Sequence, residues 1–448
     1  MRSSSRSAVR GDQCRTPISY CVSDSTGGQG TRVAGTEMRG SAAHPPSARK
    51  INWDLIRVVA VVAVMMGHIT LIGPAVMPGV DPYPVTFSVR MGASVLLVIS
   101  AFFACVTIRR EEPGRWLRRR FARLLPAYLV AVVLTYVVTR VAVLAFNGWH
   151  VRHGLFGVLF GTPYATSPAA HDPWYLPTPA DLLANLTLLQ PWSPEWRALD
   201  WAYWTLPVQV AAFIGAAILW RHRLRGARLK TLARVLVVLP IVLWPLGWLP
   251  PVANVVLGPV QAGTGIGHAY LFGLGVAIWL WSRRDISHVE LVVLGAIGVV
   301  VHSLRAPFPV EAGVGFAVML ALIAAAARGP EWDNRLTRAI RRPIVWLAGI
   351  SYSLYLVHQQ LGFVLARVLS DVGMSGWLRL VVVTGAALLA GWALAVLVER
   401  PAYRALTRGP RRLDRGTRRP ERGTQRRERG TRRKRVRERE PELVGGRL

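Results

Sequence analysis

Cysteine is scarce: Cys14, Cys21 and Cys105 are all that the 448 residues contain. An odd number with no metal-ligand spacing excludes a small disulfide scaffold and supplies no metal site. Cys105 sits in an apolar run and reads as a small core residue. Acidic residues are also few, 24 Asp+Glu against 55 Lys+Arg, for a formal net charge of +31. Charge of either sign makes up only 18% of the chain, against about a quarter in a soluble domain. The hydrophobic share, 52%, excludes disorder as the main state. So basic a chain invites a nucleic-acid reading. The arginines, however, are segregated at the ends and between apolar runs, so no nucleic-acid partner is expected.

Long apolar runs are what the chain has in abundance. A membrane helix needs about 20 mainly apolar residues. Between Ile51 and Arg400 ten stretches qualify, near 52–73, 85–107, 124–146, 203–220, 231–250, 263–282, 287–303, 312–328, 343–368 and 377–398. Alternate connections, 109–123, 221–234, 283–285 and 328–342, hold 20 Lys+Arg, whereas the opposite connections hold Arg152, Arg197 and Arg305. By the positive-inside rule the basic side is cytoplasmic, and both termini fall on it. The expected fold is all-α, a polytopic membrane bundle of about ten transmembrane helices in the cell (plasma) membrane. Residues 1–50 are polar and basic and read as a disordered cytoplasmic N-terminus, 51–401 as the membrane domain, and 402–448 as a disordered Arg-rich tail. From 401 onward 18 Lys+Arg face 6 Asp+Glu, and Arg-Gly-Thr recurs every seven residues at 415, 422 and 429 without apolar partners. That pattern is no coiled coil; a tail of this kind would lie on anionic lipid headgroups.

Ionisable groups inside such runs cost about 2.5–3.5 kcal/mol each on insertion scales, so they mark where chemistry is to be sought. The first run reads Asp54-Leu-Ile-Arg57, then no charge until His68. Eleven residues make about three turns, so Arg57 and His68 share a face, with His68 roughly 16 Å deeper. Asp54 and Arg57 are spaced to pair. Arg57 near the surface is also explained by snorkelling, and His68 by one neighbour satisfying a buried neutral ring. In 343–368, Ser351, Tyr355 and His358 form one helical stripe, at a depth matching His68. A third cluster, Arg118-Arg119-Arg120 with Arg123 ahead of Pro126 and Tyr128, suits an anion at a helix start; ordinary topology charge explains it equally. The connection 147–202 is rich in Trp, Pro and His, and reads either as an interfacial aromatic belt or as a lid over a sugar-like molecule.

These pieces, in this order, resemble the acyltransferase type 3 family of integral membrane acyltransferases. The matching residues are Asp54/Arg57/His68; Gly92-Ala-Ser-Val-Leu-Leu-Val-Ile-Ser100-Ala-Phe-Phe; Arg120-x-x-Arg123-x-x-Pro126-x-Tyr128; Tyr203-Trp204-Thr205-Leu206-Pro207-Val208-Gln209; Ser351-Tyr352-x-x-Tyr355-Leu356-x-His358; and Val398-Glu399-Arg400-Pro401. The resemblance covers about 50–401. It implies transfer of an acyl group, acetyl or another short chain, from cytoplasmic acyl-CoA to a hydroxyl of a sugar, glycolipid, cell-envelope polymer or glycosylated metabolite. Arg57, His68, Arg120 and Arg123 are the functional positions it carries over. On that reading His68 is the general base, and Arg57 and Asp54 complete the catalytic set. Arg119, Arg120 and Arg123 hold the acyl-CoA phosphates, while Ser351, Tyr352, Tyr355, His358, Trp204 and Gln209 support the acceptor. The thioester is already activated, so no metal is implied. Two departures stand out: Pro207 and Gln209 replace the family's Ser and Glu, and Ala101 replaces a Gly. An amide cannot serve as base or counter-ion. The same residues also fit a transporter or flippase path lined by Arg57, His68 and His358, and Gln209 fits a non-catalytic scaffold.

Overall fold

An apolar stretch that leaves water must close its backbone hydrogen bonds within itself, and the helix is the open-chain way to do so. The computed structural model describes residues 50–88, 90–166, 172–222, 225–243 and 251–408, for 251–257 the backbone alone. The expected disordered ends therefore lie outside the described residues, apart from Lys50 and 402–408, as do Cys14, Cys21 and His171. Each of the ten apolar segments holds helix. We label the main ones α1 (Ile51–Gly67), α2 (Gly92–Ile108), α3 (Pro113–Phe146), α4 (Thr205–Arg221), α5 (Ala227–Val242) and α6 (Ala269–Ser282). They continue as α7 (His288–Leu304), α8 (Pro309–Arg328), α9 (Arg341–Val357), α10 (Gln360–Asp371) and α11 (Gly376–Leu394). Among the described residues, five helices are long and apolar enough to cross a membrane, or six if the pair Gly258–Thr264 and Ile266–Ser282, bent by 54°, is one span. Two more apolar helices, α2 and α7, are shorter. The last helix runs on through a π-turn, Ala395–Glu399, and a helical stretch, Arg400–Thr407.

Small residues let these helices approach closely, as the membrane interior requires when hydrophobicity gives helices no reason to associate. A Cβ at Gly92 would run into the carbonyl of Ala60, joining α2 to α1, and one at Gly275 would meet Ala101 and Val98, joining α6 to α2. Around that α2–α6 seam lies a core with Val95, Val98, Leu271 and Phe316 fully buried. α1 also packs on α9, and α9 on α11.

Two local features place the site. α1 loosens into a π-turn over His68–Ile72, closed by the Gly73 N–H on the His68 carbonyl. Such turns inside α-helices recur at functional positions. The second is a correction: the segment 343–368 is not one helix but stops at Val357 and restarts at Gln360. In a continuous helix the Gln360 N–H would donate to the Leu356 carbonyl. Instead it donates to Asp200 Oδ2 at 2.9 Å, and the Leu356 carbonyl accepts from the Tyr203 hydroxyl at 3.1 Å. The break is therefore built by residues about 155 positions away, which take up the Gln360 N–H and the Leu356 carbonyl. Asp200 lies just ahead of the Trp201–Arg221 span and also accepts from the Ala202 N–H at 2.7 Å. Burial pushes its carboxyl up to about 7, against the pull of those two N–H donors.

The described parts of the connection 147–202, residues 147–166 and 172–202, are tied down by specific side chains. Buried Arg140 donates to the carbonyls of Val158, Pro177 and Gly161 at 2.6, 2.6 and 2.7 Å. Asn147 holds the backbone of Trp174 through both its amide atoms, and Trp174 Nε1 donates to the Pro78 carbonyl. A short antiparallel pair, Trp149–His150 with Tyr164–Ala165, is the small departure from all-α structure among the described residues.

Candidate active site

His68 and His358, 290 residues apart, meet. His68 Nδ1 lies 2.9 Å from His358 Nε2, and the two rings are nearly parallel, 6° apart. The other nitrogen of His358, Nδ1, is 2.9 Å from the Tyr355 carbonyl. A carbonyl can only accept, so His358 Nδ1 carries the hydrogen. In the neutral ring, Nε2 then presents a lone pair, and His68 Nδ1 must be the donor to it. His68 Nε2 is left with its lone pair bare. The helix break makes this possible, because it frees the Tyr355 carbonyl from the Gln359 N–H and gives it to the imidazole. His358 is buried, while His68 is partly exposed, and what it borders is a cavity.

There are two cavities here, opening towards opposite ends of α1 and α2. The first, of about 410 Å³, has Arg57, Arg119, Arg120 and Arg123 at one end and Ser100, Gln209, Ser351 and Tyr352 along its wall. The second, of about 420 Å³, holds His68, Arg90, Trp204, His268, His302 and Arg305. Ala93 and Tyr355 line both. Arg57 and His68, expected on one face of one helix, thus serve different chambers that meet at Tyr355. The Tyr355 hydroxyl donates to the Ala202 carbonyl at 2.9 Å and lies 3.2 Å from Thr205 Oγ1.

The arginines differ in how far they are committed. Arg57 pairs with Asp54 at 3.8 Å, as their spacing predicts. Arg120 donates to the Phe103 carbonyl and to Thr107 Oγ1 at 3.1 and 2.7 Å, and lies over the rings of Trp116 and Phe213. It pins α3 to α2. Arg119 pairs with Glu111, and half-exposed Arg123 with Glu399 at 3.9 Å. Glu399 also accepts from Ser353 at 2.7 Å, which joins the end of the last helix to α9. α3 itself starts under Glu112, whose carboxylate accepts from the Arg115 and Gly114 N–H groups and is held below the usual range by them.

Gln209, standing where the resemblance expects a carboxylate, donates to Ser100 Oγ at 2.6 Å. A carboxylate there would accept from Ser100, so the amide reverses that bond. Ser351 is turned to the Ala348 carbonyl, and Tyr352 donates to the Leu124 carbonyl at 2.8 Å; both line the first chamber. Trp204 lies over His268 with ring centres 4.3 Å apart in the second. Trp149, Trp174, Trp192, Trp196 and Trp201 line neither chamber, while Ala202, at the end of 147–202, lines the first.

A family model for an acyltransferase domain, that of the acyltransferase 3 family, matches residues 50–396. The chain belongs to the acyltransferase 3 family. No curated protein and no solved structure matches it. The family segment contains both chambers' histidines and the whole arginine cluster, and ends just short of Glu399. Apolar helices and family together mark a membrane acyltransferase.

Sequence reading missed Asp200, His268, Tyr270 and His302 within the acyltransferase domain. His302 was detectable as an imidazole inside an apolar run, at the end of 287–303. In the structure its Nδ1 lies 3.1 Å from the Tyr270 hydroxyl and 3.4 Å from Ser94 Oγ. Asp200 carried no signal, since its role is to accept an N–H whose helix break was itself not foreseen.

Proposed function

We propose that this chain moves a short acyl group from acyl-CoA to a hydroxyl, with His68 as the base. The observation that carries the reading is the His68–His358 pair, because it leaves one imidazole lone pair free on a residue of the second chamber, which shares Ala93 and Tyr355 with the first. The anionic end of acyl-CoA enters the first chamber past Arg119 and Arg123, where guanidinium groups suit phosphate oxygens. Its thin pantetheine arm reaches in towards Ala93 and Tyr355. The acceptor enters the second chamber. His68 Nε2 takes the hydroxyl proton as the oxygen attacks the thioester carbon. The C–S bond then breaks, the sulfur leaves as thiolate and takes up a proton, and an ester and CoA thiol are the products. The Ser100 hydroxyl, accepting from Gln209, keeps its own hydrogen for an amide carbonyl of the pantetheine arm in the first chamber. Gln209 on this reading is an aid to donation and not a lost base.

Purified full-length protein in detergent, given acetyl-CoA and a sugar acceptor, is expected to release CoA thiol in proportion to ester formed. Two chambers opening to opposite ends also suit a carrier, the second reading. A carrier releases no thiol under any acceptor, and that result would end the proposal.

The cofactor-facing arginines can be tested without disturbing the fold. Arg120→Ala confounds binding with stability, because Arg120 joins α3 to α2. Arg119→Gln with Arg123→Gln removes half-exposed guanidinium groups instead. The double variant is expected to raise KM for acyl-CoA by about tenfold or more, at the scale of one or two hydrogen bonds to charged groups. Its melting midpoint and its KM for the acceptor should stay where they are. An unchanged KM for acyl-CoA would remove these residues from its binding site.

A further inference from the structure

The second chamber is cationic without a counter-charge. Arg90 and Arg305, both exposed, line it from the start of α2 and the end of α7. No Asp or Glu lines the chamber. Among the described residues neither guanidinium takes part in an ion pair, whereas Arg119 and Arg123 at the first chamber each do. Two arginines facing one cavity, unneutralised by the protein, are an invitation to an anion, and planar guanidinium groups favour carboxylate or phosphate oxygens. Beside them, the aromatic residues Trp204 and Tyr355 and the imidazole of His68 also line the chamber. At about 420 Å³ the space falls within the range of small-ligand sites, roughly 300–1,000 Å³.

We propose that the acceptor is an anionic sugar: Arg90 and Arg305 hold a carboxylate or phosphate of the ligand while an aromatic wall takes the ring and a hydroxyl faces His68. The proposal rests on the acyl-transfer reading only for the role of acceptor; the anion site stands on its own geometry. The two arginines then determine specificity, since a neutral sugar leaves both of them without a partner in a half-enclosed space. They also fix the ring's orientation relative to His68, and thereby which hydroxyl is acylated.

The test is equilibrium binding to the full-length protein in detergent, with methyl glucoside, glucuronic acid and glucose 6-phosphate as probes. At least one charged probe is expected to bind about tenfold or more tightly than methyl glucoside, and which of them does so tells carboxylate from phosphate. Arg90→Gln with Arg305→Gln should abolish that preference and leave methyl glucoside binding unchanged. Equal binding of all three probes overturns the proposal, and so does a preference that survives in the double variant. The preference should persist in His68→Ala. In the wild-type protein, a charged-probe preference without any thiol release ends the acyl-transfer reading and leaves the anion site standing, whereas thiol release without the preference ends the anion site alone.

Discussion

Replacing His68 by Ala is expected to slow CoA release onto a hydroxyl acceptor by about 10²–10⁴-fold, the usual contribution of a positioned acid or base. At 25 °C that is about 3–5 kcal/mol of barrier. The loss should fall on kcat, because the acyl-CoA arginines line a different chamber from His68. KM for acyl-CoA is expected to stay within about twofold. The measurement is single-turnover and steady-state thiol release from purified protein, with size-exclusion behaviour confirming that the variant is folded. The imidazole is only partly buried and contacts a cavity, so truncating it opens space that is already open and leaves few atoms unpartnered. Wild-type rates from His68→Ala would remove the base from the mechanism. A rise in KM alone would instead make His68 a binding residue.

What could be read in the chain beforehand divides along a physical line. Helix is dictated by local composition: ten apolar stretches hold helix because their backbone has no other way to close its bonds out of water. The pairing of Asp54 with Arg57 was legible for the same reason, being a matter of three residues along one helix. The helix break at His358 was not. Its cause is Asp200 and Tyr203, whose side chains reach the Gln360 N–H and the Leu356 carbonyl across the bundle. Residues that compete with a helix's own bonds from another segment leave no trace in that helix's periodicity. What the Arg57–His68 face of α1 meets was illegible for a similar reason. Eleven residues set Arg57 and His68 on one face, but what that face meets changes along its length, from the Arg119–Arg123 region to Arg90 and His302. Arg120 shows a third kind of limit. Its position at a helix start fits an anion, yet its Nη2 is already given to the Phe103 carbonyl and Thr107, so the side chain also ties two helices together.

In the proposed mechanism His358 acts on the reaction only through His68, and that restriction gives a sharp expectation. Its Nε2 accepts from His68 Nδ1, which holds the proton away from the nitrogen that must stay bare. Which imidazole nitrogen is protonated is set by the bond the other one makes. His358→Ala removes the acceptor, so His68 samples the wrong tautomer and the wrong ring angle. The expected loss in kcat is about 10–100-fold, the range found where a partner fixes a histidine through its second nitrogen in metal sites. His358→Gln, whose amide oxygen also accepts, should recover part of that loss. A residue with a merely structural role would lower the melting midpoint without separating kcat from KM, and glutamine would offer no rescue. The decisive measurement is the double variant His68→Ala with His358→Ala. If His358 works solely by holding His68, the double variant is no slower than His68→Ala, because groups acting as a unit are far from additive. A further large drop in the double variant would give His358 its own contact with the reacting atoms, and would require the Nε2 that now faces His68 to turn into a chamber.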